Sequence, residues 1–111
     1  KVSDDASEKK ETTVSIIPAS PMDLVADGVS PGNNSEILLT WNDESSAEDG
    51  YEIERKVGVY GVWETVASLP TDTTTWSETG ITSGDIHIYR VRATAGIMHS
   101  FWSNEAYDFA K

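Results

Sequence analysis

Polar and apolar residues alternate along this chain with the two-residue period of a β-strand. In Tyr89-Arg90-Val91-Arg92-Ala93, Tyr89 and Val91 face one way and Arg90 and Arg92 the other, as in a half-buried antiparallel strand. Ile37-Leu39-Trp41 and Tyr51-Ile53 carry the same period. Large aromatics on the inner faces of such strands predict a sandwich of sheets, and no catalytic motif interrupts them.

Turn residues cut the chain into short pieces. Pro18 and Pro21 precede a first strand, Met22 to Ala26, which suits a sheet edge because proline is tolerated there. Asp27 to Ser35 holds Gly28, Pro31, Gly32 and two Asn, which is loop chemistry. Further strands are predicted at Glu36 to Asn42, Tyr51 to Val57, Val62 to Ser68, Thr74 to Ser77 and Ile86 to Thr94, with a last one within Ser103 to Phe109. Asp43 to Gly50 reads as an acidic loop, Gly58 to Gly61 as a turn, Pro70 to Thr73 as a break and Thr79 to Gly84 as a corner. Short strands with turn signals about every 8–12 residues indicate an all-β antiparallel sandwich.

Before that grammar begins, Lys1 to Thr13 is polar and mixed in charge. Such a tract cannot bury enough surface to offset its ordering entropy and is expected to be disordered. Val14 to Ile17 is a short β-prone run stopped by Pro18. The organisation is therefore a linker or tail over 1–17 and one domain over 18–109. Starting in linker-like sequence at Lys1, with no hydrophobic secretory segment, the chain reads as a module of a longer protein.

Composition narrows the class. The 111 residues suffice for one compact domain. No apolar run approaches the ~18 residues of a membrane span. Cysteine is absent, which excludes thiol chemistry and cysteine zinc sites and accords with a prokaryotic extracellular module. Eight basic against nineteen acidic side chains leave a net charge of −11. A surface this acidic repels phosphate backbones and anionic lipids, so neither nucleic acid nor membrane insertion is expected.

The motifs in their order resemble a fibronectin type III domain over roughly residues 18–109. The features that carry the likeness are Trp41, then Gly50-Tyr51-Glu52-Ile53-Glu54-Arg55, Trp63-Glu64-Thr65-Val66-Ala67 and Thr74-Thr75-Trp76. Thr79-Gly80-Ile81, Tyr89-Arg90-Val91-Arg92-Ala93 and Ser100-Phe101-Trp102-Ser103-Asn104-Glu105 complete it. The resemblance implies an immunoglobulin-like sandwich of seven antiparallel strands, with Trp41, Tyr51, Trp76 and Tyr89 in the core. Two departures stand out. The tyrosine-corner pattern is replaced by Ile81, Ser83 and Gly84, with His87 where the corner tyrosine would lie, so a looser and somewhat pH-sensitive corner is expected. Arg-Gly-Asp is absent, so integrin binding has no residues to rest on.

Candidate chemistry is sparse. Paired carboxylates are inevitable on so acidic a sandwich, and proximity alone makes no glycosidase site. No catalytic residues and no cofactor are expected. Asn42 to Gly50 supplies oxygen ligands of the kind calcium prefers but lacks EF-hand spacing, with Ala47 where a ligand would be needed. It is read as a solvated loop, no metal is assigned, and calcium at residues 42–50 stays an open question. His87 and His99 are isolated, which argues against zinc. Asn33-Asn34-Ser35 matches a glycosylation acceptor. Arg90 and Arg92 are expected to pair across strands with Glu52 and Glu54.

The function expected from the resemblance is that of a non-catalytic, extracellular, monomeric spacer in a secreted or cell-surface protein, polysaccharide-degrading enzymes being among the parents that the resemblance implies. Its partners would be neighbouring modules. The alternative is a carbohydrate- or protein-binding module using exposed Trp63, Phe101 and Trp102, since adjacent Phe101 and Trp102 must face opposite ways on a strand.

Overall fold

A computed structural model of the chain describes residues 17–29, 36–81 and 84–109. The tail over Lys1 to Thr13, residues 14–16 of the run that starts at Val14, Asn33-Asn34-Ser35 and Ser83 lie outside the described residues. Among the described residues all regular structure is strand: β1 (Met22–Val29), β2 (Glu36–Asn42), β3 (Gly50–Val57), β4 (Glu64–Pro70), β5 (Thr75–Thr79), β6 (Ile86–Ala95), β7 (Met98–His99) and β8 (Ala106–Phe109). Among these residues no helix is long and apolar enough to cross a membrane.

The strands form two antiparallel sheets. One runs β1-β2-β5; the other runs β4-β3-β6, with β7 and β8 both on the far side of β6. Each predicted inward series reaches the core. Ile37, Leu39 and Trp41 from β2 meet Tyr51 and Ile53 from β3 and Tyr89, Val91 and Ala93 from β6, all buried. Intervening residues on β3 and β6 face solvent in part, which is why a period of two was visible in the sequence. Trp76 departs from expectation: on the edge strand β5 it is only half-buried, packed against the core from one side.

Several boundaries also move. β1 runs on through Asp27 and Gly28, expected as loop, because they pair with Leu38 and Ile37 of β2. Its start is irregular: Asp23 has a φ of 58° and the register shifts between Met22 and Val25. Such a bulge re-aims a strand at a sheet edge. The fourth strand begins two residues later than predicted and continues through Leu69 to Pro70, paired with Tyr51 and Gly50. Gly50 is required there, since a Cβ would lie 2.6 Å from the Leu69 carbonyl oxygen. β7, unpredicted, is a two-residue arm hairpinned onto the end of β6.

The open edges are joined by side chains. The Asn104 amide accepts from Leu24 N–H at 2.9 Å and donates to Leu24 O at 3.0 Å. Gly28 N–H donates to Asp108 at 2.8 Å. These bonds tie β1 of one sheet to the β8 side of the other, across 80 residues of sequence.

A polar plug closes the core at the far end of β3. Arg55 faces inward and pairs with Glu78 of the opposite sheet, and Tyr89 Oη donates to the same carboxylate at 2.7 Å. Burial, and then the Glu78 carboxylate, push the Tyr89 hydroxyl above the usual tyrosine range.

Candidate functional site

Two surfaces carry polar or aromatic chemistry. The first is the outer face of the β4-β3-β6 sheet. Arg90 and Arg92 project there from β6 and pair with Glu54 and Glu52 of β3 at 2.5 and 2.6 Å, the predicted cross-strand arrangement.

Trp102 reaches this face by an arrangement that local pattern did not reveal. Ser100 and Ser103 each bond β6 twice. Ser100 N–H donates to Ala93 O at 2.8 Å while its Oγ accepts from Ala93 N–H at 2.9 Å. Ser103 repeats this on Val91, at 2.8 and 3.0 Å. Two serines three residues apart thus bond β6 residues two apart, so the intervening pair is crowded off the ladder. Phe101 turns out to solvent, 77% exposed. Trp102 lies over the arginines, its ring 4.2 Å from the Arg90 guanidinium and 4.4 Å from that of Arg92. Trp63 meets Arg90 at 4.1 Å and Lys56 at 5.0 Å.

The result is a row of alternating cations and rings, Lys56, Trp63, Arg90, Trp102 and Arg92, backed by two ion pairs. Each cation–π contact contributes about 0.5–1 kcal/mol at such partly exposed sites. The face is electrostatically satisfied by its own residues. Of the three aromatics proposed for binding, Trp63 and Trp102 are therefore half-buried and engaged, and only Phe101 stands free of them.

The second surface lies at one end of the sandwich. The register brings together the start of β1, the ends of β2, β4 and β6 and the start of β3, since Met22 pairs with Asn42 and Gly50 with both Pro70 and Thr94. The β2–β3 and β4–β5 loops therefore touch. Asp43 and Glu48 from the first meet Asp72 from the second, each offering a carboxylate oxygen within 4.8 Å of the others. At that separation two like charges repel by about 1 kcal/mol in water and roughly 3 kcal/mol at an effective dielectric of ~20. Among the described residues no basic side chain is paired with this group; Arg55, Arg90 and Arg92 all pair elsewhere.

Glu48 anchors the group. It is buried, and its Oε2 accepts from Thr71 Oγ1 at 2.8 Å and from Asp72 N–H at 3.0 Å. Burial by itself would raise its pKa, but the Thr71 and Asp72 hydrogen bonds outweigh it and hold the carboxyl below the usual range. Asp43 is shaped by its own loop, its Oδ1 accepting from Ser45 N–H at 3.0 Å. Asp72 sits at a φ of 64°, a left-handed conformation that Asp and Asn tolerate better than most residues.

Beneath the three carboxylates stands the Tyr51 hydroxyl. Tyr51 is 2% exposed, and its buried oxygen faces the Asp43 carboxylate. Burial, and then the nearby Asp43, Glu48 and Asp72 carboxylates, push it above the usual tyrosine range. Asp43 and Glu48 were in the tract singled out from sequence. Asp72 was not, because it belongs to a different loop and nothing in Thr71-Asp72-Thr73 advertises a ligand.

His87, at the tyrosine-corner position, is buried and stacks on Tyr89 with ring centroids 6.5 Å apart. Its Nδ1 lies 3.0 Å from Asp85 O, so the bond it makes is local. His99 is exposed and distant in register from His87.

No protein-family model and no curated protein matches the chain. Solved structures do. A Fn3-like protein from Clostridium thermocellum is 30% identical, with a TM-score of 0.69 over 86% of this chain and 97% of that one. The twitchin kinase region from C. elegans (19% identity, TM-score 0.70) and titin kinase with its flanking domains (18%, 0.71) match over 86% and 87% of this chain. This chain covers only 17% and 18% of those two proteins, and at such identity the likeness is one of fold alone. The inward Trp41, Tyr51 and Tyr89, the two-sheet strand order and the 30% identical bacterial relative agree: the chain belongs to the fibronectin type III family.

Proposed function

We propose that this domain is a non-catalytic module of a larger extracellular protein, where it spaces and orients its neighbours. The observation that carries the reading is the self-satisfied outer face. A sugar-binding platform needs open aromatic faces, whereas Trp63 and Trp102 are occupied by Arg90, Arg92 and Lys56. The arginines in turn are held by Glu52 and Glu54. Such a face stiffens the sheet and leaves little uncommitted surface for a ligand. The presence of the same fold within the multidomain twitchin and titin chains supports a modular role.

Contact with a neighbouring module is best supported at the hairpin end. Ile97 is 97% exposed at the β6–β7 turn, and with Phe101 and Ile17 it lines a shallow apolar hollow.

The test is titration of the chain with soluble polysaccharide fragments, following the Trp63 and Trp102 indole resonances. A spacer leaves both unchanged. A saturable shift abolished by Trp102→Ala would overturn the reading in favour of a binding module.

A further inference from the structure

We propose that copies of this chain stack end to end, the β3–β4 turn of one seated on the apolar hollow at the β6–β7 turn of the next. The turn is built to project. Gly61 N–H donates to Gly58 O at 3.0 Å, closing a β-turn with Val59 and Tyr60 at its centre. A Cβ at Gly61 would run into the Val57 carbonyl oxygen, so only glycine closes the turn this tightly. The two apolar side chains are thereby held out beyond the end of the sheet. Tyr60 is 99% exposed, and Val59 and Val62 beside it are exposed as well. Exposed apolar residues grouped in this way mark a contact surface.

The hollow that Ile17, Ile97 and Phe101 line lies at the opposite pole. Gly58 N–H donates to Ile86 O at the start of β6, whereas Ile97 follows its last residue, Ala95. The 10 residues of that strand hold the two poles about 30 Å apart. Turn and hollow therefore cannot meet within one molecule. The described chain also enters at the hollow, beside Ile17, and leaves at the turn end, where Phe109 pairs with Ile86. Copies placed in series thus present unlike poles to each other.

Charge selects this pairing over the two symmetric ones. Among the described residues Lys56, next to the turn, is the only Lys or Arg without a carboxylate partner; its ammonium rests on Trp63 instead. Carboxylates border the hollow, because Asp49 of the β2–β3 loop accepts from Gly96 N–H at 2.7 Å and Asp43, Glu48 and Asp72 stand at the same end. Hollow against hollow would oppose those carboxylates, and turn against turn would oppose two lysines. Turn against hollow brings unlike charges together. So few side chains bury less than the ~1,200 Å² of a standard interface, which places the contact in the weak class, on the order of 0.1–1 mM. Copies joined by a short linker meet at roughly millimolar effective concentration, so a contact that weak still sets their orientation. The stack goes beyond the spacer reading, which names no second copy, and polysaccharide titration does not test it, so each fails separately.

The test is a dilution series of the whole chain from about 2 mM to about 0.05 mM, followed by amide spectra and sedimentation velocity. Residues 57–62 and 96–101 should shift together along one saturating curve. Tyr60→Ser and Ile97→Ser, both at almost fully exposed positions, should each weaken association roughly tenfold or more. Their equimolar mixture should restore it, because the intact hollow of the first variant meets the intact turn of the second. The unsubstituted chain should grow beyond a dimer, as an interface of unlike surfaces allows, and the mixture should stop at one. Three outcomes overturn the proposal: no concentration-dependent shift up to about 2 mM, a shift confined to one pole, or a mixture no better than either variant alone, as an isologous pair would give.

Discussion

Trp41→Ala is the sharpest test of the core, because two opposing terms can be set against each other. The indole is 4% exposed, on the central strand of the three-stranded sheet, and tilts at 57° against Tyr51. A buried tryptophan removes roughly 200 Å² from water, which at ~25 cal/mol/Å² gives an upper figure of about 5 kcal/mol. Loss of the tilted pair adds about 0.5–1.5 kcal/mol. Against this, Trp41 Nε1 is buried with no partner among the described residues, and relieving that returns roughly 1–3 kcal/mol. The net expected cost is about 3–5 kcal/mol, in line with large-to-small changes elsewhere. Trp41→Phe keeps most of the apolar area and drops the orphaned N–H, so it should cost no more than about 1 kcal/mol. Urea unfolding followed by far-ultraviolet circular dichroism reads both, since the signal does not depend on the ring removed. For Trp41→Ala the thermal midpoint should fall by about 12 °C or more. A loss under about 1 kcal/mol in the alanine variant, or a phenylalanine variant as damaged as the alanine one, would refute the placement of this ring.

Two further outcomes follow from the same structure. Glu48 is held below the ordinary carboxyl value of 4.5, so its contribution is fully present above pH 4.5 and drains away as the pH falls through its lower folded value. Unfolding free energies measured across that range should fall less steeply in Glu48→Gln, and an unchanged slope would show that the Thr71 and Asp72 bonds carry no linkage. A double-mutant cycle between Arg90→Ala and Trp102→Ala should give a coupling of about 0.5–2 kcal/mol; strict additivity would mean that the ladder is mere proximity.

Much of this domain could be read from neighbouring positions in sequence. One buried face imposes a period of two on each strand, so Ile37, Leu39, Trp41, Tyr51, Ile53, Tyr89 and Val91 announced their side of the sheet. The pairing of Arg90 with Glu54 and Arg92 with Glu52 followed once those strands were taken as neighbours. Edges were harder. Asp27 and Gly28 look like loop residues and extend β1 only because β2 and Asp108 supply bonding partners. Trp76 resembles a core residue but lies on a strand flanked on one side only.

The features that bear on function were decided by tertiary structure. Ser100 and Ser103 set Trp102 beside Arg90 through bonds to β6. Glu78 joins Arg55 to Tyr89 across the gap between sheets. Asp72 meets Asp43 and Glu48 because strand register brings two loop ends level. Alternation is a local consequence of burying one face, so a single strand reveals it. Proximity between loops depends on where strands begin, end and pair, and no single loop contains that information.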